Sequence, residues 1–322
     1  MHKILVIGKG FWGGEWIKAL ETSPHAQLVD AVTRDYAAAL KSIDADIVAV
    51  VTPPPTHMEV IRAAFEAGKH VICEKPLADT WEACLAIADL VRAYPDLSFM
   101  VAQTRRFVPQ VQTVKQLIAS GRLGKVNTIK FDHTVYDPDG GWRLELFSPV
   151  LDDMSTHHFD AFRYMTGQEP VSVYAEGWNP PWSQYPSNAS HNILIRMTDD
   201  IYINYFATWS ANGKQNSYDG LMQIMGEKGS LELVDPDTLL FYEGRSDTET
   251  SPAPQRIDMV DLPEREIGAI IHVFTEALDK KTLPPCTIDD NIKTMAMTCA
   301  AIESCKTDRR VSTKTMLKGL ER

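Results

Sequence analysis

The chain has 322 residues, 44% hydrophobic and 23% charged, with a formal net charge of −11. That length allows two domains with an ample core, and the acidic balance argues against nucleic acid or an anionic membrane as the main partner, since both need a basic face. No apolar run nears the ~20 residues that span a bilayer, the start MHKILVIGKG enters a strand without signal-peptide architecture, and five scattered cysteines without a CxxC pair read as reduced thiols of a cytoplasmic protein.

Residues 3–7 form an apolar strand, followed by Gly8-Lys9-Gly10-Phe11-Trp12-Gly13 and a helical run to about Thr22. GxGxxG between a strand and a helix is the setting in which that motif signals dinucleotide binding. The first glycine permits the tight turn, the second lets a pyrophosphate approach the backbone, and the third allows close helix–strand packing; the helix N-terminus supplies N–H donors. The second strand, residues 28–32, ends at Thr33 and Arg34. An acid there would accept from the ribose 2′-OH of NAD, whereas an arginine accommodates the phosphate of NADP, so Arg34 tilts the expectation towards NADP. Residues 35–45 leave room for one short helix before the strand at 47–51. A parallel crossover needs at least ~10–12 residues, so the second crossover is trimmed and the sheet should lack a strand.

Thr52-Pro53-Pro54-Pro55-Thr56-His57 ends that strand, and the prolines hold the loop extended. His57, in the first turn of the helix at 57–67, can face a cofactor or simply pack; Thr56 and Glu59 have capping-box spacing for this helix. Residues 70–73 form a short buried strand that ends in Glu74-Lys75-Pro76. In open α/β sheets ligands sit beyond the carboxyl ends of strands, and Pro76, unable to donate to a ladder, stops the strand there. Asp79 and Glu82 suggest a second capping box for a helix to about Ala93, and residues 97–102 a further strand.

After Gln103-Thr104-Arg105-Arg106-Phe107 the pattern changes. Pro109 opens a helix that ends at Gly121. Alternating strands follow at 126–135, 171–177, 192–197, 202–208, 221–225, 231–234 and 239–242, then helices near 266–279 and 288–305. The expected fold class is α/β: a Rossmann domain over residues 1–104 and a C-terminal α+β domain over 105–322 with a large, mostly antiparallel open sheet. The few helices can cover only one face of that sheet. The other face, expected to be apolar, needs a partner, so a homo-oligomer, dimer or tetramer, is expected.

Ser148-Pro149 opens a helix that should run to Thr166 and stop at Gly167. At about 100° per residue, Asp153, His157, Asp160 and Tyr164 fall within roughly 60° of one another, with Leu151, Met154, His158, Phe162 and Met165 opposite. Asp153 and His157 are i,i+4 neighbours, so the carboxylate can hold one imidazole nitrogen and leave the other as a base. The same pair has metal-ligand spacing. A zinc hydrolase, however, needs neither GxGxxG nor Glu-Lys-Pro, and no metal is expected.

GKGFWG, VVTPPPTH, AGKHVICEKPL, RRFVPQVQTVKQLIASGRLGKV and LDDMSTHHFDAFRYMTG together resemble successive signatures of the Gfo/Idh/MocA oxidoreductases, the group of glucose–fructose oxidoreductase and the inositol dehydrogenases. The resemblance implies NAD(P)-dependent oxidation of a sugar or polyol hydroxyl, or the reverse reduction. It matches Lys75 to the active-site lysine, His157 to the catalytic histidine and Asp153 to the acid before it. Gly8, Gly10, Phe11, Trp12, Gly13, Thr33, Arg34, Thr52, Pro53, Pro54, His57, Glu74 and Lys75 are the expected cofactor contacts. Arg106, Trp142, Arg143 and Asp160 are the expected substrate contacts. Trp178, Trp182 and Tyr185 can stack on a sugar ring or pack. The chain departs from the family at Ser155, usually Gly, in the lead-in Phe147-Ser148-Pro149-Val150, at the proline loop without Asn, and in the short crossover. An NAD(P)-binding regulatory protein and an NAD-dependent glycoside hydrolase are the alternatives.

Overall fold

The computed structural model describes residues 1–137, 141–245 and 252–318, with the Trp142 side chain outside the described part. The chain forms two compact units, Met1–Phe107 with Leu262–Met295 and Val108–Asp261 with Ala296–Arg322.

The first unit starts with β1 (His2–Ile7), α1 (Phe11–Thr22), β2 (Ala26–Val32), α2 (Tyr36–Ser42), β3 (Ile47–Val50), α3 (His57–Glu66), β4 (His70–Cys73), α4 (Trp81–Arg92) and β5 (Phe99–Val101). These strands make a parallel sheet in the order β2-β1-β3-β4-β5. All four residues of β3 are fully buried, as in a strand covered on both faces. A full Rossmann sheet runs 3-2-1-4-5-6; without its outer strand 3, it has the order seen here. The trimmed crossover is the cause, because α2 alone bridges β2 and β3. The order reverses between β1 and β3, which puts the ligand crevice beyond Ile7 and Val50.

Two caps differ from expectation. The Thr56 hydroxyl lies 2.8 Å from Thr52 Oγ1 and 2.7 Å from the Pro53 carbonyl, inside a 3₁₀ turn over Pro54–Thr56, and does not cap α3. Glu59 accepts from the Tyr36 hydroxyl instead. Thr80, one residue after Asp79, caps α4 by accepting from Ala83 N at 3.1 Å.

The second unit contains α5 (Pro109–Ala119), β6 (Val126–Thr134), a π-helical turn (Val150–Met154), α6 (Ser155–Thr166), β7 (Pro170–Trp178), β8 (Ser190–Met197), β9 (Tyr202–Thr208), β10 (Leu221–Gly226), β11 (Gly229–Asp235), β12 (Thr238–Glu243) and β13 (Gln255–Ile257). The chain then returns to the first unit with α7 (Glu266–Lys280). Helix α8 (Ile288–Thr307) carries it back to the second, for β14 (Val311–Ser312) and α9 (Thr313–Leu317). The expected single break after residue 104 is therefore corrected. Ile270, Ile271 and Phe274 of α7 are fully buried, and the helix packs on α1 and β2.

The nine strands run β13-β12-β11-β10-β6-β9-β8-β7-β14 and pair antiparallel everywhere except β6 with β9. Alternation gives one core face, with Ile129, Phe131, Ile193, Ile203 and Tyr205 packed in a cluster with Val114, Phe159 and Phe162. The opposite face holds a shallow concavity of ≈ 710 Å³ whose lining includes Lys130, Asn192, Leu194, Asn204, Phe206 and Gln223. It is mixed, not apolar, because polar residues alternate with the core positions along each strand. Among the described residues no helix is long and apolar enough to cross a membrane.

Candidate active site

The chain leaves β1 through Gly8, whose φ of +117° glycine alone adopts freely. A β-carbon on Gly8 would lie 2.3 Å from the Val51 carbonyl oxygen, and one on Gly13 would lie 2.0 Å from the Gly8 carbonyl oxygen. These two glycines serve the packing of the turn. Gly10 is different, since a β-carbon there meets nothing within 4 Å. It is also the N-cap of α1, and no side chain caps that helix. Open backbone at a helix N-terminus fits a pyrophosphate, so these residues fit a dinucleotide. Phe11 beside it is 77% exposed and meets Trp12 edge-on at 5.5 Å. Thr33 and Arg34 are exposed after β2. Past β3, Thr52 is half-buried, Pro53 exposed and Pro54 buried.

At the end of β4, Glu74 is the anchor. Its Oε1 accepts from Trp16 Nε1 at 2.7 Å, and its Oε2 accepts from Lys75 N at 3.1 Å. Trp16 is fully buried, and Glu74 and Lys75 are each 8% exposed. The Lys75–Pro76 peptide is cis. His57 is buried, with Nε2 2.8 Å from the Thr52 carbonyl, Nδ1 3.1 Å from the Leu77 carbonyl and 3.3 Å from Cys73 Sγ. Burial pushes this imidazole below its ordinary value. The neutral ring carries one N–H, and its two nitrogens face the Thr52 and Leu77 carbonyls. The ring thus ties the loops after β3 and β4 together, so His57 moves from the expected cofactor contacts to the supports beneath them.

Arg106 also departs from expectation. Its guanidinium is buried and donates to the Pro285 carbonyl at 2.7 Å and to Asp290 at 2.5 Å. That binds the end of the first sheet to the start of α8, a structural job rather than the expected substrate contact. Arg105 pairs in the same way with Glu266.

In the second unit the expected straight helix from Ser148 begins with a π-turn. Ser155 N–H reaches back five residues to the Val150 carbonyl, and the Ser155 hydroxyl donates to the same carbonyl at 3.1 Å. That hydroxyl is 2.8 Å from Tyr205 Oη, which is 2.9 Å from His158 Nδ1. Ser148 Oγ accepts from Leu151 N at 3.4 Å, while Asp152 accepts from Ser148 N at 3.0 Å. This reciprocal cap starts the turn, and the Tyr205 network closes it. Such π-turns cluster at functional sites. Gly167 ends α6 in the left-handed region, as expected.

The turn aims residues that are buried rather than solvated: Asp153 is 5% exposed, His157 2% and Asp160 1%. Asp153 Oδ2 accepts from Arg143 Nε at 2.7 Å, so the arginine expected against substrate pairs with the acid. The Arg143 guanidinium also lies 5.5 Å from the Trp209 ring centre. Asp160 stands 3.9 Å from Arg163, which is bound to Glu169 at 2.8 Å. Tyr164 leaves the expected acid–imidazole face: its hydroxyl accepts from Gln112 at 3.0 Å and its ring lies under Lys115. Tyr185 is buried and packs, while Trp178 and Trp182 are 38% and 60% exposed. Trp16 and Tyr205 carried no signal in sequence. Each acts through a partner that only the fold brings near.

Two comparisons of sequence now decide the family. Residues 2–102 match the oxidoreductase family with an NAD-binding Rossmann fold, and residues 111–232 match the GFO/IDH/MocA C-terminal domain. The chain belongs to the Gfo/Idh/MocA oxidoreductases. It is 26% identical to an inositol 2-dehydrogenase of Rhizobium meliloti, over 95% of this chain and 98% of that one. It is 34% identical to a levoglucosan dehydrogenase of Pseudarthrobacter phenanthrenivorans, over 70% of this chain and 63% of that one. The fold is that of the aldose-aldose oxidoreductase of Caulobacter crescentus, with a TM-score of 0.84, 22% identity, and 97% and 99% of the two chains covered.

The glycines of this Gfo/Idh/MocA chain divide into two tests. Gly8→Ala and Gly13→Ala should each cost about 2 kcal/mol or more in urea denaturation without cofactor. Gly10→Ala should stay within about 0.5 kcal/mol of wild type yet lose at least ~tenfold in dinucleotide affinity. Normal affinity in Gly10→Ala would remove the pyrophosphate cradle.

Asp152 gives a pH test. Burial lifts its carboxyl to about 6, against the Ser148 N–H and Lys306, which pull it down. An unfolded aspartate titrates near ~3.9. The native state therefore keeps a proton between ~4 and ~6 that the unfolded state has lost, and stability declines as pH rises through that window. The loss amounts to about 3 kcal/mol. Asp152→Asn still accepts from Ser148 N–H. It should be the more stable protein at pH 8 and lack the decline. Identical pH slopes for the two proteins would show that Asp152 does not titrate this way.

Proposed function

We propose that this chain is an NAD(P)-dependent dehydrogenase of a cyclic sugar or polyol, or the corresponding ketosugar reductase. The observation that carries this is the burial of Lys75 at a strand end and of Asp153 and His157 on one short stretch of helix. Keeping a lysine, an imidazole and a carboxylate this far from water is costly, and such groups concentrate where chemistry is done. The inositol and levoglucosan named for the relatives are both polyhydroxylated rings, which supports the substrate class.

In the oxidation direction His157 takes the hydroxyl proton as general base. Lys75 donates to the reacting oxygen and stabilises the charge that develops there. Asp153, oriented by Arg143, stabilises the imidazolium. Glu74 holds the lysine's backbone, and Trp16 holds Glu74. The nicotinamide, when bound, accepts or returns the hydride. Exposed Arg34 suits a 2′-phosphate, so NADP is favoured over NAD. A homo-oligomer, dimer or tetramer, belongs to this reading, with a second copy on the open face of the large sheet.

The test is nicotinamide absorbance during a screen of polyols, aldoses and ketosugars with NAD and with NADP. On the best substrate, His157→Ala should lose roughly 10²–10⁴ in turnover with cofactor affinity nearly unchanged. Lys75→Ala should also fall, and a double-mutant loss below the product of the two would be the sign that both groups serve one proton transfer. Near-normal turnover in His157→Ala would remove the mechanism. Tight cofactor binding with no substrate reducing it would favour the regulatory alternative. Arg34→Ala should weaken NADP more than NAD; equal losses would remove the preference. Light scattering that gave 36.0 kDa, the mass of one chain, would exclude the oligomer.

A further inference from the structure

Away from the catalytic residues, the first unit gathers two histidines around one glutamate. His25 lies in the turn between α1 and β2, where its N–H donates to Ser23 Oγ at 3.2 Å. Glu264 precedes α7 and His272 lies within it. Glu264 Oε1 is 2.6 Å from His25 Nε2, and Oε2 is 2.7 Å from His272 Nδ1. The two imidazoles are stacked, with centres 4.0 Å apart and planes 3° apart. All the donor atoms lie within 4.8 Å of one another.

The Oε2 contact is not an ordinary hydrogen bond. That oxygen is buried and has no hydrogen-bond partner, although Nδ1 is 2.7 Å away, because the N–H does not point at it. Two polar atoms crowd without the bond that would explain their approach. Ligand atoms around one cation do crowd in this way: at ~2.0–2.1 Å from a zinc ion, neighbouring donors stand roughly 3 Å apart. Glu276, one turn beyond His272, is bound to Lys280 at 2.7 Å and stays outside the cluster.

We propose that His25, Glu264 and His272 form a binding site for one divalent transition-metal ion of the zinc or nickel class. Two imidazoles and a carboxylate suit that class and do not suit magnesium or calcium, which prefer oxygen donors. The stacked rings each turn about the Cβ–Cγ bond to converge their lone pairs on the ion. The three side chains are 28%, 20% and 38% exposed, which leaves room for that turn and for water ligands. The ion fastens α7, which re-enters the first unit after residues 108–261, to the turn before β2. It completes the dinucleotide unit and takes no part in hydride transfer.

The full-length protein, stripped with a chelator and desalted, is titrated with zinc by calorimetry and melted with and without zinc. One equivalent should bind and raise the melting temperature, and magnesium should do neither. Glu264→Gln and His272→Ala should each weaken zinc at least tenfold and abolish the thermal shift. His2→Ala should behave as wild type, because His2 is engaged elsewhere, 2.9 Å from Asp279. Circular dichroism checks the fold; Glu264→Gln keeps the side-chain shape and carries the test should His272→Ala not fold. No saturable zinc binding overturns the site. So does zinc binding that survives Glu264→Gln unchanged, or that is lost in His2→Ala.

Discussion

The carboxylate of Glu74 is the constraint on which the rest of the first unit depends. A charged group that is 8% exposed must have its oxygens satisfied, or the fold suffers the full cost of desolvation. One oxygen takes the indole N–H of Trp16 and the other the backbone N–H of Lys75. Trp16 comes from α1, the helix of the glycine motif, so the glycine turn and Lys75 share one support. His57 adds a second tie from the loop after β3 to the loop after β4. Both ties hold strand ends in place.

The second unit solves a different problem. The π-turn and α6 must bury an acid and an imidazole without leaving their backbone unsatisfied. The π-turn shifts Asp153 relative to the residues of α6. It survives because Ser148, Asp152 and Ser155 each supply a side-chain bond where the regular ladder is broken. This also accounts for the departure at Ser155. A glycine there would offer no hydroxyl to the Val150 carbonyl or to Tyr205.

What was legible in the sequence is what is locally caused. GxGxxG needs only its own backbone geometry, and β3 reads as a strand because every residue in it is apolar. The shortened link between β2 and β3 could be counted. Gly167 stops α6 for a reason contained in that residue. What was not legible depends on partners far along the chain. The π-turn is closed by Tyr205, fifty residues after Ser155. Arg106 looked like a substrate contact until Asp290, 184 residues later, took its guanidinium. Strands β13 and β14, of three and two residues, are too short to show a period. His25 and Glu264 stand 239 residues apart, so no spacing rule could join them.

The return of α7 to the first unit sets the order in which the protein can be made. Its buried face, Ile267, Ile270, Ile271 and Phe274, covers α1 and β2. A ribosome must first translate residues 108–261, which belong to the other unit. At ~5–20 residues per second that interval is on the order of 10–30 s. Throughout it, the emerging dinucleotide unit has its parallel sheet but not its closing helix. The apolar ground reserved for α7 stays wet and open to any holdase that recognises it. The chain thus closes its cofactor module only after residues 108–261 of the other unit are made, although that module's first strand leaves the ribosome before anything else.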